Sequence, residues 1–507
     1  MKRFLKLTSK LNLFYLCILS ISITFISCEI SDSTLDSSSE NYYVDYGEGF
    51  IPTGDQYNEY VENPFINVSE NPISTFSTDA DGAAYANVRR YLQQDVALPP
   101  NGAIRTEELI NYFQLDYPSN NTEHPITLNG EVSECPWNTD NKLVRIGLKG
   151  KPIATENKPA SNFVFLIDVS GSMASEDKLD LLKNGFNYFV DGLTANDKLA
   201  IVTYAGSAAV ILEATAGNEK DKIKDAINKL GAGGSTAGAE GIITAYEIAQ
   251  EQFIENGNNR IVIGTDGDFN VGASSQEELV KLIEEKRELG IFITVLGVGR
   301  GNLNDAALEQ IANNGNGTYE YIDTIEQLKK VFIYDYSKFY TVAKDVKIQV
   351  EFNPENVESY RLIGYENRVL NEEDFENDEK DAGEIGANQN VTALYEIVPK
   401  NNETTQATPT FTIDFRYKNP DADVSIPLEL EIFDQGKTFN EASDFMKFTS
   451  SVASFSMLLS DSEYKGTSNY DTVLEWLNAT NLNDEYGFKA EFKELVKTAK
   501  NLNLVNY

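Results

Sequence analysis

The chain contains one histidine, His124, in 507 residues. A histidine cluster for zinc, or a histidine-based catalytic relay, has no material to form from. Cysteine is almost as scarce, with only Cys17, Cys28 and Cys135. Cys17 lies inside an apolar N-terminal run and Cys28 closes it. Cys135 is therefore alone in a processed chain, which rules out an intrachain disulfide framework. It reads as a small packed hydrophobe rather than a nucleophile. Neither a P-loop nor a nucleophile elbow is present, and no short-period repeat is visible. Basic residues are heavily outnumbered: 42 Lys and Arg face 79 Asp and Glu, for a net charge of -37. That balance argues against nucleic acid and anionic lipid surfaces as partners.

The chain is long enough for two to four domains, and 41% hydrophobic residues supports a globular protein. Residues 1–10 carry Lys2, Arg3, Lys6 and Lys10, residues 11–26 are apolar, and Ser27-Cys28 follows. This is the layout of a secretory signal. The small residue before Cys28 resembles the bacterial lipobox, although Phe25 stands where leucine is usual. The resemblance implies a signal peptide over 1–27 and lipidation at Cys28. Its removal takes four bases and no acid, leaving a net charge near -41. Residues 28–59 begin polar and acidic and read as a flexible tether. The acidic residues after Cys28 resemble the surface-export signal of Bacteroidota lipoproteins. The expected location is the cell envelope, as an outer-membrane lipoprotein that touches the membrane through its anchor only.

Residues 161–340 alternate nearly continuous apolar strands with amphipathic helices. Strands are expected at 163–168, 199–204, 260–265, 292–298 and 318–322. Helices are expected at 177–192, 219–230, 237–255, 275–289, 304–314 and 324–339. The pattern predicts an α/β fold with a doubly wound, mostly parallel sheet covered on both faces. Residues 60–125 form an N-terminal module with helical spacing over 84–94 and 103–114. Short strands are expected in 126–160, period-two strands in 341–436, and helices in 437–507. Asp79 and Asp81 precede the helix expected from Ala83 and are placed to cap it. Arg89, Arg90 and Arg105, with Glu107 and Glu108, read as inter-domain ion pairs.

Three short segments carry the chemistry. The strand Phe163-Val-Phe-Leu-Ile stops at Asp168-Val-Ser170-Gly-Ser172. Gly233-Gly234-Ser235-Thr236 precedes a helix, and Thr265-Asp266-Gly267-Asp268 ends another strand. Ligand sites in such sheets lie beyond the carboxyl ends of strands. Asp168, Ser170, Ser172, Thr236 and Asp266 would supply hard oxygen donors to one divalent cation, some through water. Neutral hydroxyls leave that cation under-neutralised and able to attract an outside carboxylate. Taken singly, each segment is an ordinary capped turn; the joint order carries the signal.

This arrangement resembles the metal-ion-dependent adhesion site of von Willebrand factor type A (VWA) domains, whose fold is Rossmann-like. Ser74–Asp81, Tyr85–Arg90 and Arg105–Phe113 resemble the N-terminal region of a bacterial VWA lipoprotein subfamily. Gly364–Arg368, Gly383–Ala387 and Val391–Glu396 resemble its C-terminal region. The resemblance implies Mg2+ as the ion, with Mn2+ or Ca2+ as substitutes, and a protein ligand presenting Asp or Glu. It implies a binding module and no enzyme. Two other functions stay open: a metal-dependent hydrolase with Asp268 as base, and a scaffold braced by its metal.

Overall fold

The computed structural model describes residues 54–505 apart from 79–80, 119–122, 155–156, 236–237, 268–272, 378–381, 401–407, 421 and 423. The signal segment, Cys28 and most of the tether lie outside the described residues. The chain opens with β1 (Ile66–Asn67), β2 (Ile73–Ser77), α1 (Ala83–Arg90), α2 (Thr106–Asn111), β3 (Ile126–Glu134) and β4 (Lys142–Gly150). All eight residues of α1 are buried, Arg89 and Arg90 among them. Asp81 does not cap this helix. Gly82 holds the N-cap position without a side-chain bond, and Asp81 instead accepts the Tyr319 amide at 2.7 Å. The Ala84 amide donates to Glu108 at 2.8 Å, so a neighbouring helix satisfies the exposed end. Asp79 lies outside the described residues.

The central domain runs β5 (Ser161–Asp168), α3 (Leu181–Gly192), β6 (Lys198–Tyr204), β7 (Ala208–Ala216), α4 (Lys220–Asn228), α5 (Gly238–Glu251), β8 (Asn258–Thr265), α6 (Ala273–Glu288), β9 (Ile291–Val298), α7 (Asp305–Asn314), β10 (Tyr319–Ile322) and α8 (Ile325–Lys329). The sheet order is β10-β9-β8-β5-β6-β7. Every pairing is parallel except β6 with β7. Alternate residues of β5 serve opposite faces, as strand geometry requires. Val164 and Leu166 pack with Ile242 and Ala245 of α5. Phe163, Phe165 and Ile167 pack with Leu182, Phe186 and Phe189 of α3. Burial on both faces explains why β5 and β8 read as unbroken apolar runs. The expected α/β doubly wound fold is present.

Two expectations change. Strand β7 was not anticipated: it is an antiparallel edge whose Val210 and Ile211 are exposed, so it lacks a burial pattern. The helix expected over 324–339 breaks after α8 into a π turn (Lys330–Tyr334) and a 3-10 turn (Tyr336–Phe339).

The remaining strands are β11 (Thr341–Phe352), β12 (Val357–Ile363), β13 (Val369–Leu370), β14 (Gly383–Gly386), β15 (Asn390–Pro399), β16 (Phe411–Lys418) and β17 (Ile426–Ile432). They share sheets with strands from before the central domain. One sheet is β1-β12-β15-β4-β3 and the other β13-β2-β11-β16-β17, with β14 against β11. Ile146 of β4 sits opposite Ala393 of β15. The two sheets enclose one core that includes Val144, Ile146, Ile348, Val350, Ile413 and Phe415. The central domain is thus inserted between two halves of a sandwich. Helices α9 (Asp444–Leu459), α10 (Tyr470–Asn478) and α11 (Phe488–Val505) close the chain. They share a core with α1 and α2, where Phe113 meets Phe448 and Phe492 at centroid distances of 4.9 and 5.5 Å. Phe448, Val452 and Phe455 are buried there as packing residues. Cys135 is buried in the same core, and burial pushes its thiol pKa well up.

Candidate metal centre

The chain leaves β5 toward β6 on one side and later returns to β8 on the other. The carboxyl end of β5 is therefore a topological switch point, where loops diverge and leave a crevice. Asp168 ends β5 with 0% exposure. Its Oδ1 accepts the Ser170 amide at 2.8 Å, and its Oδ2 accepts the Thr265 hydroxyl at 3.1 Å. Both oxygens are oriented before any ligand arrives. The turn that follows brings Ser170 Oγ to 3.0 Å from Ser172 Oγ. Ser172 in turn hydrogen-bonds Asp266, which directly follows β8 and is also 0% exposed. The structure therefore gathers Asp168, Ser170, Ser172 and Asp266.

Thr236 and Asp268 lie outside the described residues. The loop leading to Thr236 docks on the β5 turn. The Gly233 amide donates to Val169 O at 2.7 Å, and the Gly171 amide donates to Gly234 O at 3.0 Å. Gly234 has φ +95°, a conformation that strains any residue with a Cβ.

Lys178 was not foreseen. It arrives buried from a π turn (Glu176–Asp180) and donates to Asp266 Oδ2 at 3.0 Å and Asn302 Oδ1 at 2.8 Å. Asn302 Nδ2 donates to the same Asp266 oxygen at 3.0 Å. The lysine passes beneath Gly299, where a Cβ would stand 2.1 Å from Lys178 Cε. Burial pushes the Asp168 pKa up, and the nearby Asp266 charge adds to that, against the bonds from Ser170 and Thr265. Burial pushes Asp266 the same way, but Asn302, Ser172 and the Lys178 charge outweigh it, so its pKa falls. One carboxylate of the pair is thus strained in its charged form and the other secured.

These residues fit a hard divalent cation. They offer two carboxylates and two hydroxyls, all oxygen. Among the described residues no group of three or more His, Cys, Asp or Glu side chains gathers as a metal cluster. The Ser170 and Ser172 hydroxyls stand beside the two carboxylates and can extend the oxygen shell, together with water. A cation would also relieve the burial of Asp168 beside Asp266.

Residues 162–332 match the von Willebrand factor type A domain family, and residues 51–145 match the family described as von Willebrand factor. Residues 337–502 match the family described as uncharacterized protein YfbK, C-terminal. Over 471 residues the chain is 38% identical to the uncharacterized protein YfbK of Escherichia coli K12, covering 88% of this chain and 81% of that one. The chain belongs to the YfbK family of VWA-domain proteins. A UPF0353 protein of Mycolicibacterium gilvum is 28% identical over 194 residues, covering 33% of this chain and 57% of that protein. The solved structure of a von Willebrand factor type A protein from Catenulispora acidiphila aligns over 76% of this chain and 91% of its own, at 15% identity and a TM-score of 0.45.

Within this YfbK-family chain, the site residues differ in how visible they were. Thr265 adjoins Asp266 in sequence, and its hydroxyl could have been paired with Asp168 from the β5–β8 register, in which Ile167 faces Gly264. Lys178 and Asn302 had no signal, because only the folded loops bring them to Asp266. Arg89, Arg90 and Arg105 do form buried ion pairs. Arg89 reaches Asp323 at 2.6 Å and Glu491 at 2.9 Å, and Arg105 pairs with Asp305 at 2.7 Å and with Glu108. Arg90 meets Asp55 at 2.8 Å. Glu107 takes another course and accepts the Tyr365 amide at 3.0 Å.

Proposed function

We propose that this chain is a cell-envelope binding module. Asp168, Ser170, Ser172, Thr236 and Asp266 hold one Mg2+, replaceable by Mn2+ or Ca2+, and a protein partner presents an Asp or Glu side chain to it. The observation that carries this reading is the convergence of two buried carboxylates and two hydroxyls at the sheet's switch point. The ion supplies a Lewis-acidic contact for the partner's carboxylate. The chain's own residues orient the donors, with Thr265 holding Asp168, and Lys178 and Asn302 holding Asp266.

Charge favours an acidic partner at contact. Among the described residues, Asp168 and Asp266 against Lys178 sum to one negative charge, so a divalent ion makes this set positive. The chain's net negative charge acts at longer range, where salt screens it beyond about 8 Å. Cys28 carries the lipid that tethers the module to the outer membrane. No described helix is long and apolar enough to cross a membrane.

The test is affinity capture from envelope extracts, with Mg2+ and with excess EDTA, followed by mass spectrometry. A partner should be retained only with metal and lost with Asp168→Ala. Equal retention in EDTA contradicts the reading. Phosphoester turnover with Mn2+ that vanishes in Asp168→Ala would make it an enzyme instead.

A further inference from the structure

The opposite end of the parallel sheet holds a second feature. A cavity of about 460 Å³ lies where the central sheet meets the sandwich, lined by Arg260, Asn316, Lys338, Phe339 and Glu384 among others. Several rim residues, including Asn316, Lys338 and Glu384, are partly exposed, so the space reaches solvent. That volume suits a small-molecule ligand.

Arg260 sets this cavity apart. It stands near the start of β8 and is 3% exposed. A guanidinium has five N–H donors. Here Nη1 donates to Thr294 Oγ1 at 3.0 Å and Nη2 to Phe339 O at 3.4 Å, while Nε has no partner. The rings of Phe292 and Phe339 flank it at 5.6 and 5.4 Å. No described carboxylate forms an ion pair with it. The other basic residues of the lining are all paired: Lys338 with Asp335 at 2.9 Å, Arg368 with Glu309 at 3.5 Å and Arg287 with Glu288 at 3.4 Å. The buried arginines elsewhere are paired too, as Arg361 is with Glu396 at 3.4 Å. Burial pushes the Arg260 pKa down to about 10, and the Glu384 charge offsets only part of that. A buried cation without a counter-charge is costly unless something supplies one.

Glu384 is the acidic group that Arg260 senses, and it is held away. Thr341 Oγ1 donates to its Oε2 at 2.8 Å and Asn316 Nδ2 to its Oε1 at 3.3 Å. The cavity therefore offers spare N–H donors on Arg260 and a fixed carboxylate on Glu384, without contact between them.

We infer that this cavity binds a small carboxylate-bearing ligand, whose carboxylate pairs with Arg260 and whose hydroxyl or ammonium group faces Glu384. Amino acids or short peptides and sugar acids share this chemistry. The site is separate from the candidate metal centre: Arg260 and Asp266 are six positions apart along β8, about 20 Å.

The test is titration calorimetry with thermal-shift readout on the full chain, in EDTA so that the metal reading does not enter. The probes are L-glutamate, an alanyl-alanine dipeptide, D-glucuronate and inorganic phosphate, each to about 10 mM. At least one carboxylate probe should bind saturably and raise Tm. The responding probe separates the amino-acid source from the sugar-acid source. Arg260→Met should weaken it by roughly tenfold or more, and Glu384→Gln should weaken it less. Should Arg260→Met fail to fold, Arg260→Lys keeps the charge, loses the planar fork and must still weaken binding. No carboxylate binding to the unaltered chain, binding of phosphate alone, or equal binding by the folded Arg260 variant overturns the inference.

Discussion

Two of the buried charge clusters among the described residues are finished differently. Where α1 and α2 meet the central domain, Arg89 sits on Asp323 and Glu491, and Arg105 on Glu108 and Asp305. Tyr112 and Gln327 fill remaining positions around Arg89. Each of those four carboxylates touches an arginine, so the cluster is closed. At the end of β5, Asp168 and Asp266 are equally buried, but among the described residues Lys178 meets Asp266 and no cation meets Asp168, which accepts the Ser170 amide and the Thr265 hydroxyl. A closed cluster fixes how two regions pack. An open cluster, with a carboxylate that no described cation meets, is where we propose that a cation enters from outside. Arg260, short of negative charge, is the mirror case at the other end of β8.

The largest effect is expected in the closed cluster. Arg105→Met leaves Asp305 and Glu108 buried without their cation, and unfolding in denaturant should show a loss of about 3–5 kcal/mol. A loss under about 1 kcal/mol would mean that the cluster is not closed in the sense used here. Lys178→Met, in the open cluster, should act in two directions. Removing a cation beside Asp266 should tighten Mg2+ by roughly tenfold and weaken an acidic partner by a similar factor. Titrations of metal and of captured partner read the two changes separately. If both moved the same way, the charge argument would fail.

Glu107 offers a smaller, pH-dependent contrast. It shares a helical turn with Glu108 but has no arginine contact. Burial and the Glu366 charge push its pKa from 4.5 up to about 7, against the Tyr365 amide. A carboxyl raised in the folded state binds more protons there than when unfolded. Its contribution is therefore favourable at low pH and is lost as pH rises from about 4.5 to about 7. Glu107→Gln should flatten that part of the stability–pH curve, followed by urea unfolding at several pH values. The smallest effect belongs to an exposed pair. Lys497 meets Glu494 at 2.7 Å on the surface of α11, and Lys497→Ala should change stability by less than about 0.5 kcal/mol.

The sheet and the heart of the site were legible in the sequence because local pattern encodes them. Strands buried on both faces must be apolar throughout, so β5, β8 and β9 declared themselves. Asp168, Ser170, Ser172 and Asp266 stand where such strands stop. Strand β7 was hidden because an exposed edge imposes no pattern on Val210 and Ile211. The shared sandwich was hidden for another reason. The pairing of Ile146 with Ala393 spans the inserted domain, and no local feature of either strand names its partner. Lys178 was hidden because its role depends on a side-chain-free path beneath Gly299.

The central claim is that the open cluster holds a single divalent cation. Isothermal titration of Mg2+ and Mn2+ into the chain and into Asp168→Ala tests it most directly, with circular dichroism confirming that both are folded. The account predicts one saturable site in the unaltered chain and its loss in the variant. Absence of a saturable site, or an unchanged isotherm in folded Asp168→Ala, would contradict it.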